Sequence, residues 1–235
     1  MATTLAFDVY GTLINTHGVV SLLENMVGDN AHAFSTTWRE KQLEYSFRRG
    51  LMQNYVPFSV CTEQALNYAC LLHKVTLSDE QKAQLLARYK TLPAFDDVKA
   101  GLESLKAQNY RLFAFSNGAA SAVNTLLEAA GISDYFEGVL SADDIKTFKP
   151  NPGVYSHFLR EANSTGANTW LISSNPFDVI GALSHGMRAA WIQRSNEAIF
   201  DPWELTPTTT ACDLHDLKIK LASNNQLFSG QAGVK

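Results

Sequence analysis

The sequence predicts an α/β protein with a doubly wound parallel sheet and a helical cap inserted after its first strand. From about residue 91 onward, short apolar strands alternate with segments of helical spacing, whereas residues 15–90 show helical spacing with little strand character. This alternation favours a parallel sheet, because each parallel crossover needs a helix. We therefore expect a core of residues 1–14 and 91–222 and a cap of residues 15–90. Residues 223–235 are rich in Asn, Gly, Gln and Ser, and we expect them to form a frayed tail.

Five apolar runs predict the strands of the core. They cover residues 5–7, 111–115, 138–141, 169–173 and 188–192. Core helices are predicted over residues 119–130, 151–162 and 178–185. Pro152 suits the first turn of one of these helices, and Gly131 suits the C-terminal cap of another. In the cap, helical spacing covers residues 19–26, 31–49, 59–73 and 78–89.

The composition argues against several classes of function. The 235 residues are 46% hydrophobic, which is enough for a substantial core, and the net charge of -4 gives no particular affinity for nucleic acid or anionic membranes. We expect neither a secretory signal nor a membrane span, because the apolar runs are too short. Cys61, Cys70 and Cys212 lack the spacing of metal ligands, so we expect reduced thiols in a cytoplasmic protein.

Asp8 is the candidate nucleophile, because it directly follows the first apolar run and precedes a turn at Gly11 and then Thr12. A carboxylate just past a buried strand is placed to attack a substrate. Position 10 holds Tyr10, where a second carboxylate would support a magnesium site, since Mg²⁺ prefers carboxylate oxygens. The phenol also removes the usual acid for a leaving alkoxide. The motif therefore favours a leaving group that needs no proton.

Polar residues follow four of the predicted strands. Because the carboxyl ends of parallel strands meet at one edge of a sheet, we expect these residues to share one crevice. Each cluster alone is usually a turn or a solvated loop, but their joint occurrence indicates an active site. The clusters are Asp8, Ser116 with Asn117, Lys149 with Pro150, and Ser173, Ser174 and Asn175 with Asp178 one helical turn further on.

These motifs resemble those of the haloacid dehalogenase superfamily. They are FDVYGTL at residues 7–13, SNG at 116–118, KP at 149–150 and SSNPFD at 173–178. The segment WREKQLEY at residues 38–45 resembles the L-2-haloacid dehalogenase branch in particular. Within the superfamily, Tyr10, Arg39, Tyr155 and the Ser-Ser-Asn run are the features that indicate this branch. The resemblance extends from Leu5 to about Leu217.

The resemblance implies a two-step hydrolysis of short L-2-haloalkanoic acids. Asp8 attacks the carbon that bears the halogen, the halide leaves, and an ester links Asp8 to the substrate. Water then attacks the ester carbonyl and releases a D-2-hydroxy acid with inverted configuration. The implied partners are the haloacid, the halide product and a second copy of the chain in a homodimer. We expect no cofactor and no metal, since Asp8 and Asp178 beside Lys149 make a poor magnesium site.

The resemblance also implies roles for the residues around Asp8. Thr12 and Ser173 would orient the Asp8 carboxylate, and Lys149 would favour its charged form. Arg39 would receive the departing halide. The implied catalytic residues are Asp8, Thr12, Arg39, Ser116, Lys149, Tyr155, Ser173, Asn175 and Asp178. The implied substrate-binding residues are Tyr10, Leu43, Phe58, Asn117 and Phe177.

In that scheme, Ser116 and Asn117 donate hydrogen bonds to the substrate carboxylate. Asp178 pairs with Lys149 and helps to position the hydrolytic water, and Asn175 contacts that water or the halide. Tyr10, Leu43, Phe58 and Phe177 line the space around the halogen and the alkyl group.

Two departures and two alternatives qualify this interpretation. Glu40 stands where the branch often has Gln, and Phe177 where it often has Trp, so substrate size and halogen preference stay open. A magnesium-dependent phosphatase on the same fold is one alternative, which Tyr10 disfavours. A catalytically silent binding module is the other. Without the motif match, Arg39 would be read as a surface helix residue and Tyr155 as a packing residue.

Overall fold

The core of the protein is a six-stranded parallel sheet. The computed structural model describes residues 2–231, with side chains described as far as residue 224. The strands are β1 (Thr4–Asp8), β2 (Arg111–Ser116), β3 (Gly138–Ser141), β4 (Thr169–Ser173), β5 (Arg188–Ile192) and β6 (Thr209–Ala211). Their order is β3-β2-β1-β4-β5-β6, and every pairing is parallel. The predicted doubly wound parallel sheet is confirmed.

Helices fill the connections between the strands. Between β1 and β2 lie α1 (Val20–Val27), α2 (Ala31–Leu51), α3 (Phe58–Leu72), α4 (Asp79–Arg88) and α5 (Val98–Lys106). The later helices are α6 (Ala120–Ala129), α7 (Pro152–Glu161), α8 (Pro176–Ser184) and α9 (Leu214–Gln231). Local sequence sets several of their starts. Ser78 and Gln81 form the reciprocal capping bonds that begin α4, and the Asn151 side chain accepts from Gly153 N at the start of α7.

Strand β1 is buried along its whole length, which explains its continuous apolar run. Its side chains alternate between two cores, as the period of a strand requires. Leu5 and Phe7 belong to the larger core, which includes Leu214 of α9 and extends to Trp38 of α2. Ala6 belongs to the core on the opposite face, together with Phe158 of α7. The helical residues before α5 therefore share a core with one face of the sheet.

The register of the sheet brings the predicted polar clusters to one edge. Asp8 stands opposite Phe115 of β2, and Phe7 stands opposite Ile172 of β4. Strands β2 and β3 lie on one side of β1, and the chain then crosses to β4, β5 and β6 on the other side, so Asp8 at the end of β1 lies where the strand order reverses. Ligands of open α/β sheets bind in the crevice at this point.

The structure differs from the sequence prediction at two places near the C-terminus. Strand β6 was not predicted, because three residues of Thr-Thr-Ala give too short a pattern to distinguish from a loop. Residues 223–231 continue α9 rather than fraying, and residues 232–235 of the expected tail lie outside the described residues. Within the described part of the chain, no helix combines the length and apolar character that crossing a membrane requires.

Candidate active site

Asp8 lies at the end of β1 in a nearly dry environment, with only 8% of the residue exposed. Both carboxylate oxygens accept hydrogen bonds. Lys149 Nζ donates to Oδ1 at 3.2 Å, whereas Thr12 Oγ1 and Asn175 Nδ2 donate to Oδ2 at 2.9 and 2.7 Å. Three donors from three different loops therefore fix the orientation of the carboxylate.

The turn after β1 places Thr12 beside Asp8. Gly11 has a φ of +87°, in the left-handed region that favours glycine, and this lets the chain fold back directly after Tyr10. The turn is then joined to the loop after β4 by Ser174. Ser174 Oγ donates to the Gly11 carbonyl at 2.7 Å, and Ser174 N donates to Thr12 Oγ1 at 2.8 Å.

Lys149 is a fully buried cation, with 1% of the residue exposed. Its Nζ donates to Asp178 Oδ2 at 2.7 Å, to the Phe115 carbonyl at 2.8 Å and to Asp8 Oδ1 at 3.2 Å, so all three N–H groups are used. The ammonium also lies 4.1 Å from the centre of the Phe115 ring. Lys149 thus bridges two carboxylates, and its backbone N donates to Asn117 Oδ1 at 2.8 Å, which fixes the loop that carries it.

Asp178 lies in the first turn of α8 and is completely buried. Its Oδ2 accepts from Lys149, and its Oδ1 accepts from the Tyr155 hydroxyl at 2.8 Å. Burial raises the pKa of Asp178 to about 6; the Asp8 charge adds to the rise, while Lys149 and Tyr155 oppose it. A pKa in this range lets Asp178 exchange a proton near neutral pH.

Ser173 and Ser116, which were predicted to bond to Asp8 and to the substrate, accept hydrogen bonds from backbone N–H groups two residues further along the chain. Ser173 was expected to bond to the Asp8 carboxylate, but its Oγ accepts from Asn175 N at 3.1 Å, and no bond between Ser173 and Asp8 is found in the described part of the chain. That contact orients the loop that carries Asn175 to Asp8. Ser116 Oγ accepts from Gly118 N at 3.0 Å, so its own proton stays available for another acceptor.

Arg39 reaches the site from α2 and is half-buried. Its Nη2 donates to the Tyr10 carbonyl at 3.3 Å, and Asn175 Nδ2 lies at the same distance from that oxygen. Its Nη1 donates to Gln42 Oε1 at 2.7 Å. None of the ion pairs found among the described side chains involves Arg39. Its positive charge is therefore not neutralised by a carboxylate of the described residues.

Three of the predicted lining residues are aromatic, and each packs on another ring. The Tyr10 ring lies 6.0 Å from the ring of Phe58, which begins α3, and Phe177 packs on Phe47 of α2 at 4.9 Å. Leu43 is half-buried on α2, one turn after Arg39. Burial raises the pKa of Tyr10 to about 12, so this phenol is neutral at physiological pH.

A cavity of about 260 Å³ opens beside Tyr10, Phe58 and Gly118 and is also lined by Gln42 and Thr62. It is smaller than the roughly 300–1,000 Å³ typical of pockets for drug-sized ligands, and its lining residues do not include Asp8, Lys149 or Arg39.

Ser174 and Gln42 contribute to the site although sequence reasoning assigned them no role. Ser174 lies inside the Ser-Ser-Asn run, where the strand end alone does not reveal which serine faces β1. Gln42 stands three residues after Arg39, a spacing that puts both on one helix face.

As for metals, the described residues contain no group of three or more His, Cys, Asp or Glu side chains suited to hold an ion. The expected independence from metal stays a prediction.

Comparison with known proteins agrees with this geometry. A family model described as haloacid dehalogenase-like hydrolase matches residues 2–186. Haloacetate dehalogenase H-2 of Moraxella sp. (strain B) is 34% identical over 206 residues, which cover 88% of this chain and 92% of that protein. The (S)-2-haloacid dehalogenase of Pseudomonas putida is 33% identical over 213 residues, which cover 91% and 93%.

The solved structures give the same result. The structure of L-2-haloacid dehalogenase from Xanthobacter autotrophicus with chloropropionic acid covalently bound superposes with a TM-score of 0.88 at 28% identity. The match covers 94% of this chain and 99% of that one. The chain therefore belongs to the haloacid dehalogenase-like hydrolases and, within them, to the branch of the (S)-2-haloacid dehalogenases.

Proposed function

We propose that this protein hydrolyses the carbon–halogen bond of short L-2-haloalkanoic acids and releases halide and a D-2-hydroxy acid. The observation that carries the proposal is the buried bridge from Asp8 through Lys149 to Asp178, with Tyr10 in place of a second carboxylate two residues after Asp8. The ammonium offers a counter-charge to the Asp8 carboxylate, and the phenol at position 10 stands where a carboxylic acid would protonate a leaving alkoxide. A nucleophile of this kind suits a leaving group that departs as a stable anion.

In the first step an Asp8 oxygen attacks the halogen-bearing carbon from the side opposite the halogen. The new carbon–oxygen bond forms as the carbon–halogen bond breaks, and the electron pair leaves with the halide. The substrate carboxylate needs donors, for which Ser116 and the free amide end of Asn117 are suited, since Asn117 Oδ1 is already used by Lys149 N. Arg39 carries an unneutralised charge next to the Tyr10 carbonyl, which suits it to receive the halide.

In the second step water attacks the Asp8 carboxyl carbon of the ester. The bond between that carbon and the bridging ester oxygen breaks as the water oxygen adds, so the hydroxy acid leaves with an oxygen that came from Asp8, and a water oxygen stays in Asp8. Asp178 is the candidate base, because its raised pKa suits proton acceptance near neutral pH. Thr12, Asn175 and Lys149 already point at the Asp8 oxygens and can stabilise the charge that develops there.

Halide release from L- and D-2-chloropropionate in the presence of EDTA tests the proposal. We expect chloride and D-lactate from the L substrate alone, and no turnover by Asp8→Asn unless deamidation restores the aspartate. In ¹⁸O water, a single turnover should put the label into the Asp8 peptide before it appears in product. Magnesium-dependent hydrolysis of a phosphate ester without halide release would favour the phosphatase, and no turnover of any haloacid would favour a binding module.

Three further expectations belong to the same proposal. We propose that residues 15–90 act as a cap over the core, which is supported by the contacts of Arg39 with Tyr10 and of Phe47 with Phe177. The free thiols Cys61, Cys70 and Cys212 suit a cytoplasmic location. For a homodimer, the exposed Leu51, Met52, Leu71 and Leu72 offer apolar contact surface.

A further inference from the structure

We propose that Gln42 is a positioning residue that holds Arg39 in place for the departing halide, with Thr62 as its support. This inference rests on the proposed dehalogenation. Gln42 is a neutral amide with 1% of the residue exposed, and it joins the halide-receiving arginine of α2 to the first turns of α3.

A directed chain of hydrogen bonds leaves Gln42 one orientation. Arginine only donates, so Gln42 must turn Oε1 towards Arg39 Nη1, at 2.7 Å. The amide nitrogen then donates to Thr62 Oγ1 at 2.5 Å, and the Thr62 hydroxyl donates to the Phe58 carbonyl at 3.0 Å. Trp38 Nε1 donates to the Thr62 carbonyl at 2.8 Å, which fixes Thr62 from a second side. Gln42 and Thr62 are buried, and turning the Gln42 amide round would place its N–H groups against those of Arg39.

The neutrality of Gln42 is as important as its position. A carboxylate at this place would pair with Arg39 and neutralise its charge, whereas an amide oxygen orients the guanidinium and leaves the charge available to an anion. The second terminal nitrogen of the guanidinium, Nη2, donates to the Tyr10 carbonyl at 3.3 Å, and this acceptor is also neutral. Arg39 is thus oriented by two neutral acceptors, close to the loop that carries Asp8.

This arrangement predicts where a defect would appear in the kinetics. The halide gains its charge only as the carbon–halogen bond breaks, so a correctly placed Arg39 stabilises the transition state more than the bound substrate. Loss of Gln42 should therefore lower kcat with little change in KM. Chloride is a poorer leaving group than bromide and depends more on this stabilisation, so the chloride reaction should suffer more.

The test uses Gln42→Met, Gln42→Glu and Thr62→Val, with Gln64→Met as the matched control. Gln64 lies on α3 and, like Gln42, accepts a hydrogen bond from an arginine. Its partner is Arg49 Nη2 at 3.1 Å rather than Arg39. We measure kcat and KM for L-2-chloropropionate and L-2-bromopropionate, together with the urea unfolding midpoint of each variant. Thr62→Val keeps the shape of the side chain and provides a second variant if Gln42→Met does not fold.

We expect Gln42→Met to lower kcat for the chloro substrate about 10- to 100-fold, the usual effect of losing one hydrogen bond to a charged group in a transition state. The bromide-to-chloride ratio of kcat should rise, and Thr62→Val should change both quantities in the same direction. Gln42→Glu should not restore kcat, because it neutralises Arg39. Gln64→Met should match wild type.

Three results would overturn the role of Gln42. They are an unchanged kcat and halide ratio in Gln42→Met, equal effects of Gln64→Met, or full activity of Gln42→Glu. If wild type itself releases no halide, the proposed function fails first, and that outcome is separate from any effect of Gln42.

Discussion

Replacing Tyr155 with Phe should shift the acid limb of the pH profile of kcat to higher pH. The Tyr155 hydroxyl donates to Asp178 Oδ1 at 2.8 Å inside the protein, which stabilises the ionised carboxylate and lowers its pKa. Before Asp8 reacts that pKa is about 6, and it falls when Asp8 becomes a neutral ester, so the acid limb of wild type should lie at or below pH 6. Removing the hydroxyl removes a bond to the charged form, and the pKa must therefore rise.

The size of the shift follows from the contact. A buried hydrogen bond to a charged group contributes about 1.5–3 kcal/mol, and about 1.36 kcal/mol corresponds to one pKa unit, so the limb should move by roughly one to two units. At pH 7 the variant should lose most of its activity, and it should recover towards pH 9.

Kinetic profiles of wild type and Tyr155→Phe between pH 5 and pH 9 provide the measurement. Tyr45→Phe is the control, because Tyr45 packs on Tyr68 away from Asp178 and should leave the limb in place. An acid limb of Tyr155→Phe at the wild-type pH, or below it, would contradict both the role of Asp178 as the base and its link to Tyr155.

Three other outcomes are expected. Lys149→Met should lower kcat about 10³-fold, because it removes the donor to the carboxylates of Asp8 and Asp178. The same change should lower the urea unfolding midpoint, since it leaves buried carboxylates unpaired. A variant with wild-type kcat would exclude Lys149 from the reaction. Gly181→Ala should destabilise the protein by about 1–3 kcal/mol in a urea titration and move Tyr155, because a Cβ at position 181 would lie 2.3 Å from the Tyr155 hydroxyl. Gly50→Ala is the control, because a Cβ at position 50 meets only ordinary contacts, and it should unfold at the wild-type urea concentration. Prolonged dialysis against EDTA should leave halide release unchanged, and activity lost on dialysis and restored by Mg²⁺ would refute independence from metal.

The sequence was sufficient for the sheet because each long strand is an apolar run that ends in a polar cluster. The parallel register then brings Asp8, Lys149 and Asp178 together, since they follow the carboxyl ends of strands or lie within one turn of them. Strand β6 was not predicted from the sequence, because its three residues, two of them Thr, do not form an apolar run. Its position depends on pairing with β5, which local sequence does not encode.

Hydrogen-bond direction within the site could not be read from the sequence. Two consecutive serines follow β4, and their side chains point to different places: Ser173 caps Asn175 N, and Ser174 bonds to the turn at Gly11. Which of them bonds to the turn after Asp8 depends on the backbone path of one loop. The role of Gln42 could not be predicted either, because it depends on contacts with α3 that the local sequence of α2 does not reveal.

The balance of charge links the two steps of the proposed reaction. Lys149 is one cation between two carboxylates, and its contact with Asp178 at 2.7 Å is shorter than its contact with Asp8 at 3.2 Å. The negative charge of Asp8 raises the pKa of Asp178, so alkylation of Asp8, which makes it a neutral ester, should lower that pKa. Lys149 and Asp178 would then form a balanced pair, and Asp178 would be ionised when water must be activated. The charge lost from Asp8 reappears on the halide, which Arg39 is placed to receive beside the Tyr10 carbonyl. The first step thus prepares the base for the second.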